Sequence, residues 1–198
     1  MKHDIHLVEN RVCYQGFFQL NQLILSHSLF QGGVSKNISR EVFKRRAAVV
    51  VFLYDQQKET IVLVEQFRAG AAEQAVTSNK IESAWLIEPV AGIIDTDEST
   101  IDAAKREVQE ETGLNVYSFE YICEFYPSPG SCDEILHLYA AEIDSAQIKP
   151  FAGIAEEGED IRVITMSFSE AKAKLKKAEF NVASTYIGMQ WLFYQKLA

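Results

Sequence analysis

Residues 99 to 113 constrain this chain more than any other stretch, because both ends of a helix are written into them. Ser99 and Thr100 are capping residues, Ile101, Ala104 and Val108 recur at the i, i+3, i+7 spacing of one helical face, and Gly113 suits the left-handed residue that closes a helix. The spacing predicts a helix over 100–112. Along it Glu107, Glu110 and Glu111 fall at i, i+3 and i+4, so three like charges share one stretch of surface beside the apolar stripe. Such crowding costs an isolated helix about 0.2–0.5 kcal/mol per pair, which points to a compensating cation, and carboxylate oxygens favour hard ions such as Mg2+ or Mn2+.

The helix belongs to a longer pattern: Gly92, Glu98, Arg106, Glu107, Val108, Glu110, Glu111, Gly113 and Leu114 stand at fixed intervals. Seven fixed identities at such intervals arise by chance roughly once in 10^8 starting points, so the pattern is specific. An amphipathic helix with an acidic solvated face needs neither glycine and has no use for a Glu98/Arg106 pair. Arg106 is expected to hold Glu98, in the preceding loop, through a fork-shaped ion pair that fixes loop to helix.

Around this segment the chain reads as strands and helices in alternation. Ile5, Leu7, Val12 and Tyr14 recur at period two, with Val8 breaking the alternation, so residues 1–40 are predicted to form a small antiparallel β extension of half-buried strands. Residues 42–53 and 61–67 read as a hairpin about the turn Asp55-Gln56-Gln57-Lys58; residues 70–80 read as a polar loop and 84–90 as a short strand. Further strands are predicted over 117–125, 135–143 and 161–168, and helices over 169–178 and 184–197. Strands interleaved with helices on two faces of a mixed sheet give an α/β fold, an α/β/α sandwich, over residues 41–198.

Composition narrows the partners. With 198 residues, 47% of them hydrophobic, the chain can bury roughly 70% of its unfolded surface and needs no staples. Its 19 basic and 28 acidic residues leave a net charge of −9, which disfavours nucleic acid and anionic membrane as partners. The longest apolar run, Ala47 to Tyr54, is far short of the ~20 residues that span a bilayer, and no signal-peptide core follows Met1-Lys2-His3-Asp4. Cys13, Cys123 and Cys132 are odd in number and lack C-x-x-C spacing, as reduced thiols would be. A cytoplasmic protein is expected. His3, His6, His27 and His137 are scattered and form no H-E-x-x-H metal motif.

The box from Gly92 to Leu114 resembles that of the Nudix hydrolases, which cleave a nucleoside diphosphate linked to another group with the help of divalent metal. Pro129, sixteen positions after Gly113, resembles the proline of members acting on ADP-ribose, and Ser128-Pro129-Gly130-Ser131-Cys132-Asp133-Glu134 is similar to the S-P-G-G-x-x-E loop of bacterial ADP-ribose pyrophosphatases, with Ser131 in place of the second glycine. Glu65-Gln66-Phe67-Arg68, Ile87 to Gly92, Gly16-Phe17-Phe18, Arg40 to Phe43 and Glu157 to Val163 also resemble segments of that subfamily.

The resemblance implies metal-dependent hydrolysis of ADP-ribose to AMP and ribose 5-phosphate, with two or more Mg2+ ions, Mn2+ as a substitute, per site. It implies Glu107 and Glu111 as principal ligands, the carbonyl of Ala91 as another, and Glu110 and Glu159 as additional or water-mediated ones. Glu98 and Arg106 complete the catalytic box. Glu157 is implied as general base, with Glu159 its rival. Arg68 and Arg40 are substrate candidates because guanidinium matches phosphate and stacks on adenine, a surface salt bridge being the alternative for each. Phe17 is a stacking candidate or part of a core or dimer interface; Ser128, Glu134 and Glu88 are contacts to ribose or phosphate by family position. The resemblance also implies a homodimer with exchanged N-terminal strands. Two further readings stand beside ADP-ribose: GDP-mannose or another nucleoside diphosphate sugar as substrate, and a non-catalytic nucleotide-sensing module.

Overall fold

The computed structural model describes residues 3–198, with Glu157 described in its backbone only. The chain divides into two compact units, one of residues up to Ala47 with Phe125–Ile135, the other of Ala48–Glu124 with Leu136–Ala198.

The smaller unit is a three-stranded antiparallel sheet of β1 (Ile5–Gln15), β2 (Gln19–His27) and β3 (Ile38–Lys44), in that order. Its register slips between Leu7 and Glu9 and again between Val12 and Tyr14, so Val8 and Cys13 are bulge residues. That bulge is why Val8 interrupts the period-two pattern. The expectation of half-buried strands needs correcting at β1: this edge strand is exposed at every position. The 125–135 segment is tied to β3 by backbone bonds from Phe43 N to Ser131 O and from Asp133 N to Phe43 O.

The larger unit carries a mixed sheet. Its strands are β4 (Ala48–Asp55), β5 (Thr60–Phe67), β6 (Trp85–Glu88), β7 (Val90–Ile93), β8 (Glu120–Phe125), β9 (Leu136–Glu142), β10 (Phe151–Ala152) and β11 (Ile161–Ser167); its helices are α1 (Ala69–Thr77), α2 (Thr100–Thr112), α3 (Phe168–Lys176) and α4 (Ala183–Trp191). The main path runs β10-β11-β5-β4-β9-β8, with β4 and β9 parallel. β4 and β5 pair only near their turn, Leu53–Asp55 against Thr60–Val62. Beyond it they part. β6 then pairs with β5 and β7 with β4, separated by Pro89, whose missing N–H interrupts one continuous strand.

Alternation along the strands sorts the core to two faces. Val49, Val51, Leu53, Val62 and Val64 pack with Ala103, Ala104 and Val108 of α2. Phe52, Tyr54, Ile61 and Leu63 face the other way, onto Ala171 of α3 and Met189 and Trp191 of α4. The result is the helix–sheet–helix sandwich. Three predicted spans are corrected. Residues 69–77 form α1, where a polar loop was expected; residues 42–53 are two strands in different sheets, interrupted at Arg45–Ala47; and 84–90 is broken at Pro89. No helix among the described residues is long and apolar enough to cross a membrane.

Candidate active site

α2 begins where Ser99 accepts a hydrogen bond from the Asp102 amide and ends at Gly113, whose φ of +74° is the left-handed closure that favours glycine. Between these caps the helix lays Ala104 and Val108 into the core and carries Glu107 and Glu111 to the edge of it. Both carboxylates are buried, Glu107 at 8% exposure and Glu111 at 2%.

Glu111 is held by neutral donors: the Ala91 amide donates to Oε2 at 3.2 Å and Gln66 Nε2 to Oε1 at 3.2 Å. Burial, then the charge of Glu107, pushes its pKa up to about 8 against the pull of these bonds. Burial also raises Glu107, with Arg106 opposing and Glu110 and Glu159 adding to the rise. Glu159 accepts from the Ile154 amide at 3.2 Å.

Arg106 organises the other carboxylates. Its Nε and Nη2 fork onto the two oxygens of Glu98, each at 3.0 Å, and Nη2 also donates to the Ile93 carbonyl at 3.0 Å. That ties the loop after β7 to the helix and holds the Glu98 carboxyl below its usual range. Nη1 reaches the other way, to Glu107 at 2.6 Å and Glu110 at 3.0 Å. Gly92 faces the same group: a Cβ there would lie 1.8 Å from the Glu107 carboxylate. The glycine leaves the space that the carboxylate fills.

The donor set is therefore carboxylate oxygen on one turn of α2, with backbone of β7 beside it. Among the described residues no three His, Cys, Asp or Glu side chains form a ready cage, and Arg106 bridges Glu107 and Glu110. Burial raises the pKa of both Glu107 and Glu111, so a cation beside them would be favoured, and hard oxygen donors suit a divalent ion. The residues fit such an ion. A cleft of about 330 Å3 in the same unit lies elsewhere, lined by Leu114 to Ser118 and Glu142 to Asp144.

Residues 44–186 match the NUDIX domain model. The chain belongs to the Nudix family. Nudix hydrolases generally need divalent metal ions such as Mg2+. Among curated relatives, this Nudix chain is 37% identical to the ADP-ribose pyrophosphatase of Haemophilus influenzae over 96% of its own length and 87% of the relative's. It is 35% identical to the ADP-ribose pyrophosphatase of Escherichia coli K12 over 96% and 88%, and 33% identical to the GDP-mannose pyrophosphatase of Cronobacter sakazakii over 97% and 96%.

The remaining residues singled out in the Nudix sequence fall into both units. Arg68, which precedes α1, donates from Nε to Glu88 Oε1 at 2.5 Å; burial raises the Glu88 pKa and Arg68 opposes the rise. Glu157 lies in the turn Ala155–Glu157, closed by Gly158 at φ +75°, and its side chain is outside the described part. In the smaller unit Arg40 donates to the Ser39 carbonyl, Phe17 is 85% exposed and packs edge-on to Phe18, and the Ser128 carbonyl accepts the amides of Ser131 and Cys132.

Glu134 is buried there and accepts from Arg45 at 3.1 Å. Sequence reasoning passed over Arg45. Its guanidinium lies 5.2 Å from the Phe18 ring centre and its buried Nε has no hydrogen-bond partner. A buried unpaired N–H is a donor an anion can satisfy. The run Lys44-Arg45-Arg46 in an acidic chain was the available signal. Gln66 was passed over as well, as part of a quoted segment with no role of its own.

Proposed function

We propose that this chain hydrolyses the diphosphate bond of ADP-ribose, releasing AMP and ribose 5-phosphate, with Mg2+ as the ordinary ion and Mn2+ as a substitute. The observation that carries the reading is the gathering of Glu107, Glu110 and Glu111 on one turn of α2, with Glu107 against Gly92 and Glu111 on the Ala91 amide of β7. Pro129 and the relatives bearing the ADP-ribose name support the choice of substrate.

Glu107 and Glu111 would hold the ions, with the Ala91 carbonyl, Glu110 and Glu159 as further donors for two or more. Bound there, a divalent ion supplies positive charge to the phosphoryl oxygens and acidifies water. Arg106 keeps the Glu98 loop docked while its Nη1 balances the glutamates. Glu157, on a turn closed by a glycine, is the proposed proton acceptor, and Glu159 its rival. Arg68 and Arg40, with Arg45, are the proposed phosphate and adenine contacts; Phe17 is proposed to stack on the base, and Glu88, Ser128 and Glu134 to meet the ribose or its phosphate.

The exposed edge strand β1, with Ile5, Leu7, Val12 and Tyr14 in the open, supports a homodimer that exchanges N-terminal strands, and three free thiols support a cytoplasmic setting. Sedimentation at micromolar concentration is expected to give a dimer; a fully active monomer would remove that part of the proposal.

The substrate assignment is tested by initial rates on ADP-ribose, GDP-mannose and diadenosine polyphosphates with Mg2+ or Mn2+. The highest rate is expected on ADP-ribose, and protein that released no AMP from it would overturn the assignment. A higher rate on GDP-mannose would move the chain to the second reading, which the 33% identical relative favours.

A further inference from the structure

Val62 and Val64 of β5 point into the core under α2, and Gln66, two residues on, continues their row. At 6% exposure it is a buried amide at the end of an apolar face. Burying an amide without a partner is costly, so a glutamine at such a position needs a bond to hold it. The bond it makes is to Glu111 Oε1.

The carboxylates of the site are thus held in two different ways. Glu107 and Glu110 share a guanidinium, whose charge competes with any incoming cation. Glu111 is fixed by two uncharged N–H donors, Gln66 on one oxygen and Ala91 on the other. Each oxygen has a second lone pair, so this clamp sets the plane of the carboxylate and leaves it able to accept a metal ion. We infer that Gln66 is a positioning residue that holds Glu111 as the pre-oriented anchor for a divalent ion. This rests on reading Glu111 as a metal ligand.

The experiment is titration of the full-length protein with Mn2+ alone, followed by electron paramagnetic resonance of the free ion, for the parent, Gln66→Met, Glu111→Gln and the double variant, with thermal denaturation of each. Gln66→Met nearly conserves volume and removes the donor. It is expected to weaken Mn2+ binding about 10-fold, the usual effect of losing a partner that orients a ligand. No further loss is expected when it is added to Glu111→Gln, because the two act on one bond. Unchanged Mn2+ affinity in Gln66→Met beside a large loss in Glu111→Gln would overturn the role of Gln66 and leave Glu111 as a ligand. Unchanged affinity in both would overturn the reading of Glu111 itself. A full additional loss in the double variant would show Gln66 acting elsewhere and also overturn the inference. Should Gln66→Met not fold, Gln66→Asn, whose amide is one methylene too short to reach Glu111, is read by the same outcomes.

Discussion

The backbone of Gly92 lies so close to Glu107 that a methyl group on it would stand 1.8 Å from the carboxylate. The atoms met are the far end of a flexible side chain, so Gly92→Ala is expected to fold, with the carboxylate swung aside. Misplacing a catalytic group by about 1 Å can cost on the order of 10^2 in rate. Gly92→Ala should therefore lose roughly 100-fold in kcat/KM on the preferred substrate with a Tm near that of the parent. Near-parental kinetics would show that Glu107 has no fixed place in the reaction.

Gly188 gives the opposite case. Its added Cβ would lie 2.4 Å from Cδ2 of Phe52, a fully buried ring wedged between β4 and α4. Neither can move freely, and overpacking a core costs typically about 1–3 kcal/mol. Gly188→Ala is expected to lower the free energy of unfolding by that amount, and the urea midpoint with it, while the activity per folded molecule stays near the parent's. Equilibrium urea unfolding measures it, and an unchanged midpoint would contradict the tight approach of α4 to the sheet.

Arg106 makes five hydrogen bonds to three carboxylates and a carbonyl. A lysine keeps the charge but cannot form the fork on Glu98 while also reaching Glu107 and Glu110. Arg106→Lys is expected to destabilise the fold by about 1.5–3 kcal/mol, the range for bonds to charged groups, and to free the loop between β7 and α2. Hydrogen exchange should then rise at the Asp95 amide, which donates to Glu98. Unchanged exchange there would mean that the loop is held by something else.

Asp55 links pH to stability. Burial raises its pKa, but the amides of Ser145 and Lys58, the Ser145 hydroxyl and the Lys58 charge outweigh burial and bring it down to about 2. A carboxyl held lower in the folded than in the unfolded chain, where it titrates near 4, adds stability that is fully present above that range and is lost as pH falls through about 2. Asp55→Asn should flatten the decline of Tm between about pH 4 and 2 and lower Tm at neutral pH. An acid-unfolding series that superimposes on the parent's would refute it.

The helix that bears the chemistry was legible to the residue because its signals are local: Ser99 at one end, Gly113 at the other, and an apolar stripe between them. The loop-to-helix fork of Glu98 and Arg106 follows from the same short stretch. α1 was not legible. Its N-cap, Arg68, offers no side-chain cap, Gly70 sits in its first turn, and Ala75 is its buried residue, so neither capping nor periodicity marks it. The division of residues 42–53 between two sheets was hidden for a different reason: the break falls at Arg45–Ala47, which has no Gly, Pro, Asn or Asp to mark the end of one strand and the start of the next. Gln66 had a faint signal, a polar residue in phase with Val62 and Val64, and its meaning depends on α2, 45 positions further on.

Because β4 and β5 pair only near their shared turn, β6 and β7 fill the gap between their open ends, and that wedge delivers Ala91 to Glu111 and Gly92 to Glu107. A slip of register between β4 and β7 would therefore move Ala91 and Gly92 away from α2 and undo the fit of both carboxylates at once.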